Sequence, residues 1–375
     1  MIEQALHRQQ KANLLRGRRI VRAVDATHVQ IDGRQYVNFA ANDYLGLSHR
    51  LNLSGRGGSG SSPLITGHCD VHANAEAALA KWKGTEAALL LPSGYQANHA
   101  AVQALAGAAH AADRRVRFLI DKLVHASIVD AVRGSGENFR VFAHNDLKKL
   151  RRLLHDADAG ELQIVVTESI FSMDGDAADL AGLMTLKREK PFVLVLDEAH
   201  ATGVYGAGGR GYADELGLSA DVDVFIITLS KAMGLAGGAI CGLREVCDAV
   251  VNFGRAYIYS TAIAPALAAA CVDAIALMEN EPARQARVRE LARQVRSALT
   301  EKGWKIPAGD SPIIPVIVGG EQETMVLAER LMEKGILVPA VRPPTVPRQS
   351  SRLRITLCSE HSDREIEQLL EALHA

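Results

Sequence analysis

The chain has 375 residues, of which 48% are hydrophobic and 23% charged, and its formal net charge is −1. These values are ordinary for a globular protein of about two domains, and the near-neutral charge predicts no nucleic-acid-binding surface. No run of about 18 apolar residues occurs, so no membrane span is predicted. The polar, basic start lacks the apolar stretch of a signal peptide, and the five scattered cysteines have no CxxC spacing. We therefore expect a cytoplasmic protein with reduced thiols.

Residues 1–35 are typical of a basic helix followed by a short hairpin, with Asp32 and Gly33 at its turn. From about residue 85 to residue 243, short apolar runs alternate with amphipathic stretches. This alternation predicts an α/β fold in which helices cover a mostly parallel central sheet. The runs are AALLL (87–91), RFLID (117–121), QIVVTE (163–168), FVLVLDE (192–198), VFIITL (224–229) and GAICG (238–242).

The carboxyl-terminal third begins with a long helical stretch from about 264 to 302. The segments after it predict a smaller α/β unit. They are PIIPVIVGG, a helix near 321–334, GILVPAV, RLRITLC and the closing helix SDREIEQLLEALHA. We predict an amino-terminal segment at 1–35, a large domain at 36–260 and a small domain at 261–375.

Polar residues suited to chemistry follow five of the apolar runs. Active sites of open parallel sheets lie outside the carboxyl ends of the strands. The residues are Ser93, Gly94 and Tyr95 after the first run, His125 after the second, Ser172 after the third, Asp197 and His200 at the fourth, and Thr228, Ser230 and Lys231 at the fifth. Because these ends meet at one edge, we expect a single site that contains Lys231.

The groups expected at this edge of the sheet are suited to bind pyridoxal phosphate. They are an amine, a carboxylate and the start of a helix. Lys231 supplies an amine that can form a Schiff base, and Asp197 a carboxylate that keeps the pyridine nitrogen protonated. Residues 93–95 are suited to hold the phosphate with backbone N–H groups at a helix start. Thr228 and Ser230 add hydroxyl groups. The residue types therefore predict a pyridoxal phosphate site.

Two histidines complete the predicted site. His200 is placed to hydrogen-bond the phenolic oxygen of the cofactor, and His125 to stack on its ring. A single Asp or His of this kind is more often a cap or a structural residue. A cofactor site is favoured because the lysine, the aspartate, the two histidines and the helix start all occur together, in the order that such a site requires.

Other motifs are incomplete. DEAH (197–200) also occurs in a class of helicases, but no GxxxxGK[ST] phosphate loop accompanies it. The GxSxG and HExxH motifs are absent, and no GxGxxG follows a predicted strand. Neither a nicotinamide enzyme nor a metal site is predicted.

Seven longer motifs carry a family resemblance. They are NDYLGLS (42–48), SGYQAN (93–98), DKLVHAS (121–127), TESIFSMDGD (167–176), DEAHATGVYGAGGRG (197–211), TLSKAMG (228–234) and YSTA (259–262). Together they resemble the α-oxoamine synthases, over nearly the whole chain. The resemblance implies pyridoxal phosphate fold type I, like that of aspartate aminotransferase, and a homodimer.

The resemblance also implies which residues contact the cofactor. It identifies Lys231 as the Schiff-base lysine, Asp197 as the pyridinium partner, His200 as the partner of the phenolic oxygen, His125 as the stacking residue, Ser93, Gly94 and Tyr95 as the phosphate turn, Ser172 and Thr228 as further contacts, and Ser260 and Thr261 as phosphate contacts from a partner subunit. The first four are also the implied catalytic residues.

Within the family, RVFAHND (140–146) and VRPPTVP (341–347) are most similar to a member of biotin biosynthesis. That member condenses L-alanine with a pimeloyl thioester, carried by coenzyme A or acyl carrier protein, and releases carbon dioxide and the thiol. The resemblance implies that Asn42 and Arg354 hold the amino-acid carboxylate. It places Arg16 near the distal pimeloyl carboxylate, although a solvated basic helix explains Arg16 equally well.

The segment between YLGLS and the glycine-rich GSGSSPLITG is shorter than in family members. The shortening either alters a surface helix only or reshapes the entrance for the thioester. Several alternatives stay open. Synthases that use glycine or serine share nearly every cofactor residue. An aminotransferase shares the fold and the lysine, and a cofactor-binding scaffold without turnover is a third alternative, disfavoured by the intact lysine, aspartate and histidines.

Overall fold

The computed structural model describes residues 1–11, 14–158 and 160–373. The strands of these residues are β1 (Arg22–Ala23), β2 (His28–Ile31), β3 (Arg34–Asn38), β4 (Ala87–Leu91), β5 (Val116–Asp121), β6 (Asn138–Phe142), β7 (Leu162–Glu168), β8 (Val193–Asp197), β9 (Val224–Thr228), β10 (Gly238–Gly242), β11 (Ile313–Gly319), β12 (Ile336–Leu337), β13 (Ala340–Val341) and β14 (Ser351–Thr356).

The α-helices are α1 (Ile2–Lys11), α2 (Asp70–Lys83), α3 (Gly94–Ala111), α4 (Ala126–Ser135), α5 (Leu147–His155), α6 (Leu180–Glu189), α7 (Tyr212–Glu215), α8 (Arg244–Phe253), α9 (Arg255–Ile258), α10 (Pro265–Asn280), α11 (Pro282–Glu301), α12 (Glu321–Glu333) and α13 (Asp363–Ala372). Among the described helices, none has both the length and the apolar character needed to cross a membrane. Ala12, Asn13, His374 and Ala375, which belong to the predicted first and last helices, lie outside the described residues.

A seven-stranded sheet forms the centre of the molecule, in the order β4-β10-β9-β8-β7-β5-β6. Strands β5 to β9 pair in parallel, whereas β10 is antiparallel to both of its neighbours. The predicted α/β fold of type I with a mostly parallel sheet is therefore confirmed. The parallel order brings the carboxyl ends of β4, β5, β7, β8 and β9 to one edge.

The six predicted apolar runs became strands because both faces of the sheet are covered. Side chains alternate along a strand, so Phe118 and Ile120 enter the core on one face while Leu119, between them, enters the core on the other. The sequence analysis missed β6. Its NFRVF residues are mostly exposed because β6 lies at the edge of the sheet beside β5, and such a strand lacks a continuous apolar run.

Two smaller sheets stand beside the central one, in the orders β1-β2-β3-β12 and β11-β14-β13. The predicted hairpin is β2 and β3, and its turn residues Asp32 and Gly33 have φ angles of 50° and 82°. An Asp-Gly pair is favoured there because both positions need positive φ. Strand β3 also pairs in parallel with β12. The division at residues 35 and 260 remains a prediction.

The predicted helix from 264 to 302 is two helices, α10 and α11. The break falls at Glu281, because the residue before a proline is disfavoured in helical conformation and Pro282 is suited to open the next helix. The shortened segment contains no helix or strand from residue 51 to residue 62. A single π-helical turn, Pro63–Gly67, then leads into α2.

Candidate active site

A cavity of about 280 Å³ opens at the carboxyl ends of the parallel strands. Nine predicted site residues line it: Ser93, Gly94, Tyr95, His125, Asp197, His200, Thr228, Ser230 and Lys231. The other lining residues are Asn98, Ser127, Glu168, Ala199 and Ile226. The structure thus brings the side chains that follow separate strands into one cavity.

Lys231 follows β9 and points its amine at His200. The Lys231 Nζ lies 2.8 Å from His200 Nε2, and the other ring nitrogen, Nδ1, lies 2.6 Å from the hydroxyl of buried Tyr44. Burial lowers the pKa of Lys231 to about 8. Burial, followed by the charge of Lys231, lowers the pKa of His200 well below its ordinary value. The imidazole is therefore neutral, and one ring nitrogen donates while the other accepts.

Asp197 ends β8 and receives two hydrogen bonds. The buried Asn98 Nδ2 donates to Asp197 Oδ2 at 2.8 Å, and the backbone N–H of Ala199 donates to Oδ1 at 2.9 Å. These two contacts fix the orientation of the carboxyl group. Asn98 also donates to Ser127 Oγ at 3.0 Å, which fixes its amide. The sequence analysis quoted Asn98 within SGYQAN but gave it no role.

Glu168 is a second acid in the cavity, and the sequence analysis missed it. It ends β7 directly beside Asp197, with which it is in register. Its carboxyl group accepts the backbone N–H of His125. Burial, with the charge of Asp197 in second place, raises the pKa of Glu168 well above its ordinary value and so favours its neutral form. An acid that ends the buried run QIVVTE was the available signal.

His125 caps the start of α4. Its Nδ1 accepts the backbone N–H of Ser127 at 3.2 Å and lies 2.8 Å from Ser127 Oγ. These contacts fix the orientation of the ring. Burial lowers the pKa of His125, so the ring favours the neutral form.

Helix α3 begins at the cavity wall. Ser93 caps it, its Oγ accepting the N–H of Gln96 at 3.1 Å. The first N–H groups of a helix have no intrahelical acceptor and are suited to bind an anion. A Cβ at Gly94 would stand 3.3 Å from the side chain of Thr228, so the glycine allows close approach. Thr228 Oγ1 lies 2.8 Å from Ser230 Oγ, which adds two hydroxyl groups.

Asn42 and Arg354 meet beside the cavity. Arg354 Nη1 donates to Asn42 Oδ1 at 3.1 Å and to Thr356 Oγ1 at 2.9 Å. The Tyr44 hydroxyl, which contacts His200, lies 3.3 Å from the same Asn42 oxygen. Tyr44, another residue that the sequence analysis missed, therefore connects the expected carboxylate-binding pair to the cavity.

Six predicted site residues do not line the cavity: Asn42 and Arg354, which lie beside it, and four others. Ser172 is buried, and its carbonyl oxygen accepts from Arg354 Nε at 2.7 Å. Ser260 Oγ accepts from Gln96 Nε2 at 2.9 Å, and Thr261 next to it is exposed. Arg16 is exposed and donates to Thr345 Oγ1 at 3.2 Å.

The residues of the cavity fit pyridoxal phosphate. An amine with a lowered pKa faces a carboxylate that two donors stabilise, and the start of α3 offers N–H groups and hydroxyls to a phosphate. The buried Asn98 Oδ1 has no hydrogen-bond partner among the described residues, which is an unusual state for a core amide. The cavity is thus a polar site rather than a packing defect.

Comparison with known proteins points to the same chemistry. Residues 34–373 match the family described as aminotransferase class I and II. The 8-amino-7-oxononanoate synthase of Methylobacillus flagellatus is 38% identical and covers 97% of this chain and 92% of its own. The enzyme of that name from Gluconacetobacter diazotrophicus is 42% identical, over 92% of this chain and 89% of its own.

Solved structures are similar over most of the chain. Sphingomonas wittichii serine palmitoyltransferase has a TM-score of 0.91 at 27% identity and covers 99% of this chain and 95% of its own. The 8-amino-7-oxononanoate synthase of Francisella tularensis has a TM-score of 0.76 at 26% identity, over 90% of this chain and 96% of its own.

This chain belongs to the class I and II aminotransferase family and, within it, to the α-oxoamine synthases that its motifs resemble. Its cofactor is pyridoxal 5'-phosphate. The predicted family and cofactor are confirmed.

Proposed function

We propose that the protein is an acyltransferase of biotin biosynthesis. It condenses L-alanine with a pimeloyl thioester and releases 8-amino-7-oxononanoate, carbon dioxide and the free thiol. The observation that carries the proposal is the meeting of Lys231, Asp197 and the start of α3 in one cavity, in a chain about 40% identical to 8-amino-7-oxononanoate synthases along its length.

The cofactor-binding roles follow from the chemistry of the lining. Lys231 holds the cofactor covalently through its amine, and Asp197 pairs with the ring nitrogen. His200 bonds the phenolic oxygen, and His125 stacks on the ring. The first turn of α3, residues 93–95, receives the phosphate.

Four further residues are proposed to support the phosphate and the ring. Thr228 contributes its hydroxyl from the end of β9, and Ser172 is a contact at the back of the site. Ser260 and Thr261 serve the site of a second copy of the chain. The exposure of Thr261 at the surface supports that assignment, and the assembly we propose is a homodimer.

The bound cofactor supplies an electron sink for the Cα of the amino acid. Lys231 Nζ, freed from the cofactor, takes the Cα proton and later returns one, because its lowered pKa suits proton transfer near neutral pH. The carboxylate of Asp197 keeps the ring nitrogen protonated. His125, whose ring is oriented by Ser127, hydrogen-bonds the acyl oxygen while charge develops there or assists the loss of carbon dioxide.

Arg354 and Asn42 are proposed to bind the carboxylate of L-alanine. A guanidinium pairs with a carboxylate in a planar, bidentate manner, and Asn42 orients this one at 3.1 Å. Arg16 is proposed to lie toward the distal carboxylate of the pimeloyl chain. The thiol carrier is coenzyme A or acyl carrier protein. We place the enzyme in the cytoplasm, which the five unpaired cysteine thiols support.

Thiol release from pimeloyl-coenzyme A by the cofactor-loaded protein tests the proposal. We expect release with L-alanine, and none with glycine or L-serine. A Lys231→Ala variant should release no thiol and should lack the visible absorbance of lysine-bound cofactor, whereas Lys122→Ala, which alters an exposed lysine outside the cavity, should match the unaltered protein. Release only with glycine or serine would retain the family and overturn the named reaction.

A further inference from the structure

Strand β14 presents two arginines to the same segment of the large domain. Arg352 and Arg354 are two residues apart, so their side chains leave the strand on one face. Both are buried. Arg354 Nε donates to the carbonyl oxygen of Ser172 at 2.7 Å, and Arg352 Nη1 donates to Asp174 Oδ1 at 2.5 Å. The strand is thus attached twice to the turn at residues 171–176, which we call the bridging turn.

The bridging turn is closed on itself. Phe171 N–H donates to the Asp176 carbonyl, and Gly175 N–H donates to the Phe171 carbonyl, each at 2.9 Å. Gly175 has a φ of 64°, and a Cβ there would stand 2.2 Å from the carbonyl oxygen of Ile313 on β11. The turn therefore packs directly against the sheet that contains β14.

The other side of the bridging turn is held by the central sheet. Asp176 Oδ2 lies 2.7 Å from His144 Nε2, and His144 Nδ1 lies 3.1 Å from Asp121 Oδ1 at the end of β5. Burial opposes a charge on His144, but hydrogen bonds to Asp121 and Asp176 outweigh it and raise the pKa of His144 to about 10. A charged imidazole between two carboxylates makes this attachment firm.

From these contacts we propose that Arg352 and Asp174 are positioning residues for the amino-acid carboxylate. They act through Arg354, whose guanidinium plane is set by the Ser172 carbonyl two residues before Asp174. Bidentate recognition of a carboxylate requires that plane to be fixed. The inference rests on the proposed role of Arg354 in binding L-alanine.

The test is the dissociation constant of L-alanine, measured by absorbance titration of the cofactor-loaded protein without acyl donor. Asp174→Asn and Arg352→Gln should each weaken binding roughly tenfold, and the double variant should be no worse than either single one, because residues in direct contact are not additive. The dissociation constant of pyridoxal phosphate should stay unchanged. Arg352→Lys, which keeps the charge, should bind L-alanine better than Arg352→Gln.

Asp223→Asn is the matched control. Asp223 pairs with Lys187, at a similar exposure to Asp174, on the amino-terminal side of β9. It should bind L-alanine normally. Equal constants for Asp174→Asn and Asp223→Asn, or parallel loss of cofactor and L-alanine binding, would overturn the inference. Failure of the unaltered protein to bind L-alanine would instead overturn the proposed function. If that protein binds glycine or serine, the comparison is repeated with that amino acid, because all three share the carboxylate.

Discussion

The amine of Lys231 and the imidazole of His200 are in direct contact at 2.8 Å, and a buried phenol, Tyr44, holds the far side of that imidazole at 2.6 Å. The three side chains come from separate segments of the chain. Burial raises the pKa of Tyr44 to about 12 and lowers those of the other two. The amine therefore becomes neutral at a lower pH than an exposed lysine, beside an imidazole that is already neutral.

The first prediction concerns the pH dependence of cofactor attachment. Only a neutral amine attacks an aldehyde, so the rate at which the cofactor-free protein takes up pyridoxal phosphate should rise with pH. The midpoint should lie near 8, the lowered pKa of Lys231. Stopped-flow absorbance between about pH 6 and about pH 10 measures it. A midpoint near the ordinary lysine value of 10.5 would contradict the burial argument. Lys122→Ala should leave the profile unchanged.

Glu168→Gln should be tolerated far better than Asp197→Asn. Burial raises the pKa of Glu168 well above its ordinary value of 4.5 and so favours the neutral form, whose charge glutamine preserves. Asp197→Asn removes a carboxylate that two donors hold, and should lower kcat by roughly a hundredfold or more. Steady-state kinetics on the two loaded variants compare them. Equal losses would mean that Glu168 is ionised.

Glu168→Gln should also change how the stability of the protein depends on pH. A carboxyl group whose pKa is higher in the folded state than in the unfolded state contributes stability that is complete below its unfolded-state pKa. That contribution is lost as pH rises toward its folded-state pKa. Glu168→Gln has no such loss. Its free energy of unfolding, relative to the unaltered protein, should therefore increase as pH rises above about 4.5. Denaturant titrations at a series of pH values measure it, and a constant difference would show that Glu168 is not buried as an acid.

His144 should also make a contribution to stability that is lost as pH rises. Its pKa is raised to about 10, so its contribution is complete below the unfolded value of 6.5 and is lost as pH rises through 10. His144→Gln should cost about 2 kcal/mol below that window and little above it, since charge-assisted hydrogen bonds are of this size. His110→Gln, which alters an exposed histidine that pairs with Glu137, is the control. Thermal melts of both variants between pH 6.5 and about pH 10 measure the change in stability. If His144 were neutral, the loss of stability in His144→Gln would be the same at every pH.

Gly175→Ala should be severe and Gly136→Ala mild. Both glycines have positive φ, but only at Gly175 would a Cβ collide with backbone, 2.2 Å from the Ile313 carbonyl oxygen. Nothing lies within 4 Å of a Cβ at Gly136. We expect a loss of about 1 kcal/mol for Gly136→Ala and more than about 3 kcal/mol for Gly175→Ala. Denaturant unfolding compares them, and similar losses would mean that the bridging turn moves freely.

The central strands were predictable because each is buried on both faces and so needs an unbroken apolar run. Strand β6 broke that rule, since NFRVF lies at the sheet edge and exposes most of its residues. The pairing of strands from distant parts of the chain could not be predicted from the sequence either. Nothing in Ile336 and Leu337 indicates that they extend the hairpin of residues 28–38.

Residues that face the cavity from strand ends were largely predictable, because parallel strands send their carboxyl ends to one edge. Glu168 was missed because the sequence analysis considered only Ser172, beyond the end of the run QIVVTE, and not the acid that ends the run itself. Asn98 and Tyr44 lie within the quoted motifs, but the sequence does not show which side chains they contact. In the structure, Asn98 hydrogen-bonds Asp197 and Tyr44 hydrogen-bonds His200. The roles given to Ser172, Ser260 and Arg16 rest on resemblance and remain predictions.

The pairing of β3 with β12 has a consequence for how the chain folds during synthesis. Residues 34–38 leave the ribosome long before residues 336 and 337, yet they share one sheet. The hairpin must stay unpaired on that side while the whole central sheet is made. Contacts between such distant residues form slowly, because a long loop has to close first. The emergence of residues 336 and 337, rather than that of the hairpin, therefore sets the earliest moment at which β3 can be paired on both of its sides.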